Sequence, residues 1–284
     1  MSIKSYTEYH NDMMKARDVD PSIICLDYIA NRFELNMEQR YWIAFLYGTC
    51  YCAPTVFFMY NEFPDYQNVD LHRLQNWWTN NRPHLKFQTD RLRIKSNNQF
   101  VKSFISYKQL VQNNQQNLFF NGIKDDKQYN YQLTYQKALK IAYFGRFSLF
   151  NYLDTLNRIT NLKCEPHTLD LSQAKSCRNG LAYAIGRTDL MNHHSKKKLT
   201  KKEINTLQRE FLSIKTKHQG DIFQIETTLC AYKKYRLGKR YVGYYIDRLG
   251  KEIEHYKHIK GVDWSVLWDF RAETFQNKYL YEYN

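Results

Sequence analysis

Two carboxylates and three groups of cations carry most of the chemistry available to this chain. Glu226, in DIFQIETTLC, is an acidic side chain on an otherwise apolar helical pattern, and Asp247 in GYYIDRL is placed similarly. A carboxylate on such a face either pairs with an arginine or lysine or serves as a general base. The segment SCRNG at 176–180 sets Arg178 beside Asn179, just ahead of the apolar LAYAI. Both side chains offer forked donors suited to a phosphate or a base edge. A loop-to-helix cap is the plainer reading of the same five residues. YFGRFSLFNYL at 143–153 carries Tyr143 and places Arg146 inside an aromatic helical pattern. A guanidinium buried there demands an anion, either a structural carboxylate or a substrate phosphate, because an unpaired buried charge is costly.

The densest cationic stretch is YKKYRLGKRYVGYYIDRLGK at 232–251, with seven cations, five tyrosines and one carboxylate. Lys233, Lys234, Arg236, Lys239 and Arg240 flank Gly238 at an expected helix–helix turn. Cations interleaved with aromatic rings suit a surface that neutralises phosphates while bases stack. A solvated basic face is the alternative. KKKLTKK at 196–202 reads as a basic tract adding nonspecific affinity.

Several familiar chemistries lack their motifs. No GxxxxGK[ST], GxGxxG after a strand, HExxH or GxSxG occurs. His255 and His258 stand three apart with no third ligand nearby, and His193-His194 lies in a charged loop, so no metal site is expected.

The bulk composition agrees with a polyanion partner. The 284 residues carry 42 Lys+Arg against 28 Asp+Glu, a formal charge of +14. That exceeds the magnitude of roughly 2–8 that suffices for solubility. An anionic membrane is the weaker candidate: no run of about 18 apolar residues exists, and MSIKSYTEYHNDMMKARD has no signal-peptide block. The six cysteines form no CxxC pair, which fits reduced thiols in cytoplasm. The 24 Tyr, 17 Phe and 5 Trp suit base stacking, although a core and an A+T-rich coding bias also raise such counts.

Helical signals must position these residues. Asp20-Pro21 opens PSIICLDYIANRF; Asn36 with Gln39 forms a capping box; Pro54 and Asp70 mark two further starts. A long apolar pattern runs from Thr134 to Leu153 across Gly145. Thr200 with Glu203 opens another helix that Gly220 ends, and helices are expected at 221–237, 240–258 and, capped by Asp263, 263–281. Loops are expected at 81–99, 111–130 and 187–200. Strand alternation is weak, no linker composition appears, and one all-α domain over 1–284 is the expectation.

The blocks NMEQRYWIAFLYGTCYCAPTVFFMYNEFPDYQNVD, YFGRFSLFNYLDTL, EPHTLDL, SCRNGLAYAIGR, ETTLCAYKK, GYYIDRL and DWSVLWDF, in that order, resemble the phage alpha-glutamyl/putrescinyl thymine pyrophosphorylases, clade 2, also called amino acid:DNA transferases. The resemblance spans about 20–270, and its specificity lies in the order of the blocks. It implies hypermodification of thymine in phage DNA. Pyrophosphate would be displaced from 5-(pyrophosphoryloxymethyl)uracil by an amino acid or polyamine, in double-stranded phage DNA within the host cytoplasm. The fold would be similar to helical DNA glycosylases. Arg178, Asn179, Glu226 and Asp247 would then be catalytic, and Tyr143, Arg146, Lys233, Lys234, Arg240 and Tyr244 would bind substrate or phosphate. No cofactor is required, though Mg²⁺ can ride on pyrophosphate. A pocket that extrudes the base is a further expectation. In that family a histidine commonly precedes Arg-Asn-Gly; Cys177 stands there in this chain, so any proton transfer at that position is altered. A glycosylase-like hydrolase and a noncatalytic DNA-binding protein are the alternatives.

Overall fold

Capping chemistry sets most helix starts in the computed structural model, which describes residues 3–89, 92–95, 98–191 and 199–281. Ser5 and Glu8 form a capping box on α1 (Tyr6–Ala16). A proline opens α2 (Pro21–Arg32), and Asn36 with Gln39 caps α3 (Met37–Cys50). Pro54 lies in the first turn of α4 (Ala53–Glu62), and Asp70 accepts from the Arg73 N–H at the start of α5 (Leu71–Asn81). Then come α6 (Gln99–Val111), α7 (Gln115–Phe120) capped by Asn114, α8 (Lys127–Ala138) capped by Asp126, and α9 (Arg146–Ile159). Next are α10 (Lys175–Ala184), α11 (Lys201–Lys217) with the Thr200–Glu203 box, and α12 (Ile222–Arg236) with an Asp221–Gln224 box. The last are α13 (Tyr244–Tyr256) and α14 (Ser265–Thr274). Each side-chain cap contributes about 1 kcal/mol. No strand occurs among the described residues, so the all-α expectation holds.

Several boundaries differ from expectation. The stretch 111–130 is not a loop throughout, because Asn114 and Asp126 each satisfy a first-turn N–H and start α7 and α8. The pattern from Thr134 to Leu153 is not one helix: Tyr143 adopts φ 65° and Gly145 is extended, so α8 ends before them and α9 starts after. Asp20 has a left-handed φ of 52° instead of the extended backbone usual for an N-cap. The final helix stops at Thr274, followed by a 3₁₀ turn at Asn277–Tyr279.

Packing divides the chain into two compact units. One comprises Met1–Pro21, Pro166–Arg248 and Ala272–Asn284, the other Ser22–Glu165 and Leu249–Arg271. Both are discontinuous in sequence, which is why no linker composition marks a boundary.

The second unit is centred on α3, buried at every position from Tyr41 to Cys50. It packs on α9 and α4. A Cβ on Gly48 would lie 3.0 Å from both Phe144 and Tyr152, so only a small residue permits this approach. Trp42 stacks on Phe45 and donates to the Phe63 carbonyl at 2.7 Å. In the first unit α12 packs against α1 and α10, and Tyr9 stacks on Tyr235 at 4.6 Å. Tyr9, Tyr41, Tyr47, Tyr107, Tyr152, Tyr232 and Tyr256 are all fully buried. Much of the aromatic excess is therefore core, where full burial of one large apolar side chain stabilises by roughly 1.5–3 kcal/mol.

Candidate active site

The glycine of SCRNG lets two helix backbones approach closely in the first unit. A Cβ on Gly180 would lie 1.9 Å from the Leu229 carbonyl oxygen and 2.6 Å from its carbon, so α10 and α12 cross there backbone to backbone. The crossing brings the turn before Arg178 onto the side chains of α12. Ser176 and Cys177 hydrogen-bond the Cys230 sulfur, and the Cys230 thiol donates to Glu226 Oε1 at 3.1 Å. Cys177 is fully buried, whereas Cys230 and Glu226 are half-buried. The Cys177 hydrogen bond draws the Cys230 thiol below its ordinary value, opposed by burial and aided by Ser176 and the Arg240 charge.

Arg178 and Asn179 follow on α10, only 4% and 5% exposed. The Arg178 guanidinium donates through Nη1 to the carbonyls of Leu171 and Ser172, both at 3.3 Å. It thus holds the preceding loop against the helix, and burial lowers its affinity for the proton. Below α12, Tyr6 Oη lies 2.9 Å from Thr228 Oγ1, which lies 3.0 Å from His10 Nδ1. His10 Nε2 lies 2.9 Å from the Gln219 carbonyl, so Nε2 carries the proton and Nδ1 accepts. Burial pushes the His10 pKa down, in keeping with a neutral ring.

The basic segment is held by a remote carboxylate. Asp18 accepts from the backbone N–H groups of Gly243 (2.7 Å), Tyr245 (2.9 Å) and Ile246 (3.0 Å), capping α13 from the end of α1. Burial pushes its carboxyl up to about 7 despite those three donors. The turn so held presents Arg240 over the rings of Tyr244 and Tyr245, at 4.8 and 4.4 Å. One turn earlier Arg236 lies over Tyr183 at 5.1 Å and Tyr232 at 5.8 Å. Lys233 and Lys234 occupy the last turn of α12, half-buried. Asp247 is 1% exposed and accepts from the Tyr241 hydroxyl at 2.7 Å. The first unit therefore gathers Arg178, Asn179, Glu226, Lys233, Lys234, Arg240, Tyr244 and Asp247.

Tyr143 and Arg146 belong to the other unit. The expectation of a buried Arg146 is corrected: the break at Tyr143 and Gly145 makes it the first residue of α9, where it is exposed and needs no compensating anion. Of KKKLTKK, Lys196–Lys198 lie outside the described residues, as do His193 and His194; Lys201 and Lys202 open α11. His255 Nε2 is 2.8 Å from the His84 carbonyl, a structural contact. Cys230, Tyr6, Asp18 and Tyr183 escaped the sequence reading. Cys230 alone had a local signal, standing four residues after Glu226 and hence on the same helical face. Among the described residues no cluster of three or more His, Cys, Asp or Glu could hold a metal, and no helix is long and apolar enough to cross a membrane.

The sequence model of the amino acid:DNA transferases matches residues 15–241. A serinyltransferase of Salmonella phage ViI is 28% identical over 298 residues, an alignment covering 94% of this chain and 70% of that protein. The matched span contains the α10–α12 crossing and the turn that carries Arg240, and the chain belongs to the amino acid:DNA transferase family.

Proposed function

We propose that this transferase displaces pyrophosphate from 5-(pyrophosphoryloxymethyl)uracil in double-stranded phage DNA, using an amino acid or polyamine as the nucleophile. The observation that carries the reading is the family match across 15–241. An amino acid is the preferred donor and serine the first to test, given what the ViI relative is named for. The work is placed in the infected host's cytoplasm.

Departure of pyrophosphate builds negative charge, which preorganised cations stabilise most where water is excluded. Arg178, Asn179 and Lys233 are assigned to that charge. Lys234, Arg240 and Tyr244 are assigned to DNA phosphates and bases; Tyr143 and Arg146 are assigned substrate or phosphate contacts of their own. Of the two carboxylates proposed as base, Glu226 is the better placed, because it is half-buried while Asp247 is enclosed and engaged by Tyr241. The target carbon faces the major groove, so extruding the base sharpens positioning at a cost of a few kcal/mol. Mg²⁺ enters this scheme only as a companion of pyrophosphate.

The test is incubation of the full chain with DNA bearing 5-(pyrophosphoryloxymethyl)uracil and, separately, each protein amino acid and putrescine. Pyrophosphate release together with a new nucleoside mass is the expected result. Release of a free base would identify a glycosylase-like hydrolase instead, and binding without turnover would leave only a DNA-binding protein.

A further inference from the structure

The α10–α12 crossing sets Cys177 of α10 against a thiol–carboxylate pair carried by α12. Glu226 and Cys230 occupy successive turns of one face of α12, with the sulfur 3.1 Å from Oε1. Cys230 and Glu226 are half-buried as residues, whereas Cys177 behind them is fully buried. The thiol donates to the carboxylate, so the two groups hold one proton between them and the pair bears one negative charge. Loss of that proton leaves an ionised sulfur, and it is this form that accepts one proton and restores the hydrogen bond. Groups from every neighbouring element bear on the sulfur: Tyr6 from α1, Ser176 and Cys177 from α10, Arg240 from the turn after α12, and Tyr245 from α13. The Arg240 charge favours the anionic pair, as do the hydrogen bonds from α10, and burial opposes them. Gly180 makes this possible, since any side chain there would separate Cys177 from Cys230.

We propose that Cys230 and Glu226 together are the proton acceptor of the transfer reaction, taking the proton of the attacking amine or hydroxyl. The proposal rests on the pyrophosphate-displacement reading above. In that step one C–N or C–O bond forms at the substrate methylene. The C–O bond to pyrophosphate breaks, and its electron pair leaves with pyrophosphate. The proton lost by the nucleophile goes to the thiol–carboxylate pair and then to solvent. A base poised near neutral pH is the most effective for such a step, because it is both unprotonated and basic enough. The cations assigned to pyrophosphate would stabilise the leaving group while this pair handles the nucleophile.

Two measurements test the proposal on the full chain. The first is alkylation by iodoacetamide across pH under reducing conditions, with the modified peptide read by mass spectrometry. Cys230 is expected to react with a midpoint clearly below that of an ordinary thiol, as its hydrogen bonds and the Arg240 charge dictate. A midpoint at or above the ordinary thiol value of about 8.5 would overturn the proposal. The second is the transfer rate on pyrophosphorylated DNA with serine, and with any other donor that proves active, for Cys230→Ser and Glu226→Gln. Each is expected to lower kcat by roughly 10²-fold, the scale of general-base catalysis, at an unchanged melting temperature. In Cys230→Ser the acid limb of the pH–rate profile should also move, since the thiol that sets it is gone. Variants that keep the wild-type rate and profile overturn the pair's role while leaving pyrophosphate displacement intact. A wild-type chain that releases no pyrophosphate with any donor overturns the displacement reading and this role with it, whatever the alkylation shows.

Discussion

Replacing Gly180 with alanine tests the α10–α12 crossing most directly. Alanine is the better helix former, by about 1 kcal/mol relative to glycine, so local preference alone predicts a more stable protein. The tertiary structure predicts the reverse. The new methyl would sit 1.9 Å from the Leu229 carbonyl oxygen and 3.2 Å from its Cα, against backbone that cannot rotate away. Restoring an ordinary contact of 3.4 Å means moving the helices apart by roughly 1.5 Å at that point. Overpacking of this kind costs typically 1–3 kcal/mol, and here the partner is main chain, which places Gly180→Ala at the upper end. A net loss of about 2 kcal/mol corresponds to a fall in melting temperature of roughly 4–8 °C for a protein of this size class. The shift also draws Cys177 off Cys230, so the alkylation midpoint of Cys230 should rise. Thermal melts by circular dichroism, set beside iodoacetamide titration, read both effects. An unchanged or raised melting temperature would refute the backbone-to-backbone crossing and everything built upon it.

Asp18→Asn should remove a pH dependence: the folded carboxyl keeps its proton up to about 7 while the unfolded one loses it near 3.8, so this group's stabilisation is full at low pH and lost as pH rises through about 7. The wild type should therefore melt lower at pH 8 than at pH 5 by more than the Asn variant does, and equal differences would refute the assignment. Affinity for duplex DNA should fall with salt at a log–log slope of about −5 or steeper if six or more cations meet phosphates, and a slope near zero would remove the nucleic-acid surface. Arg178→Lys removes the guanidinium whose Nη1 reaches both the Leu171 and Ser172 carbonyls, so a lower melting temperature is expected together with transfer slowed by roughly 10²-fold per folded molecule. A variant that is less stable yet fully active per folded molecule would take Arg178 out of the site and leave it as a loop anchor.

The sequence by itself determined what depends on neighbours along the chain. Asn36 with Gln39 and Thr200 with Glu203 announce their helices because an N-cap side chain needs only the amide three residues on. The charge excess, the Arg-Asn-Gly block and the carboxylate at Glu226 were legible for the same reason: each is a matter of residue type and spacing. Arg146 shows where that reasoning stops. Its apolar neighbours suggested burial, but the left-handed Tyr143 and extended Gly145 end the periodicity there and turn the side chain to solvent. The tertiary structure alone decided that Cys177 meets Cys230 and that Asp18 caps a helix more than two hundred residues away. Such partners share no period and no turn. They are selected by which backbones can approach closely enough, and in this protein that selection is made by one missing Cβ at Gly180.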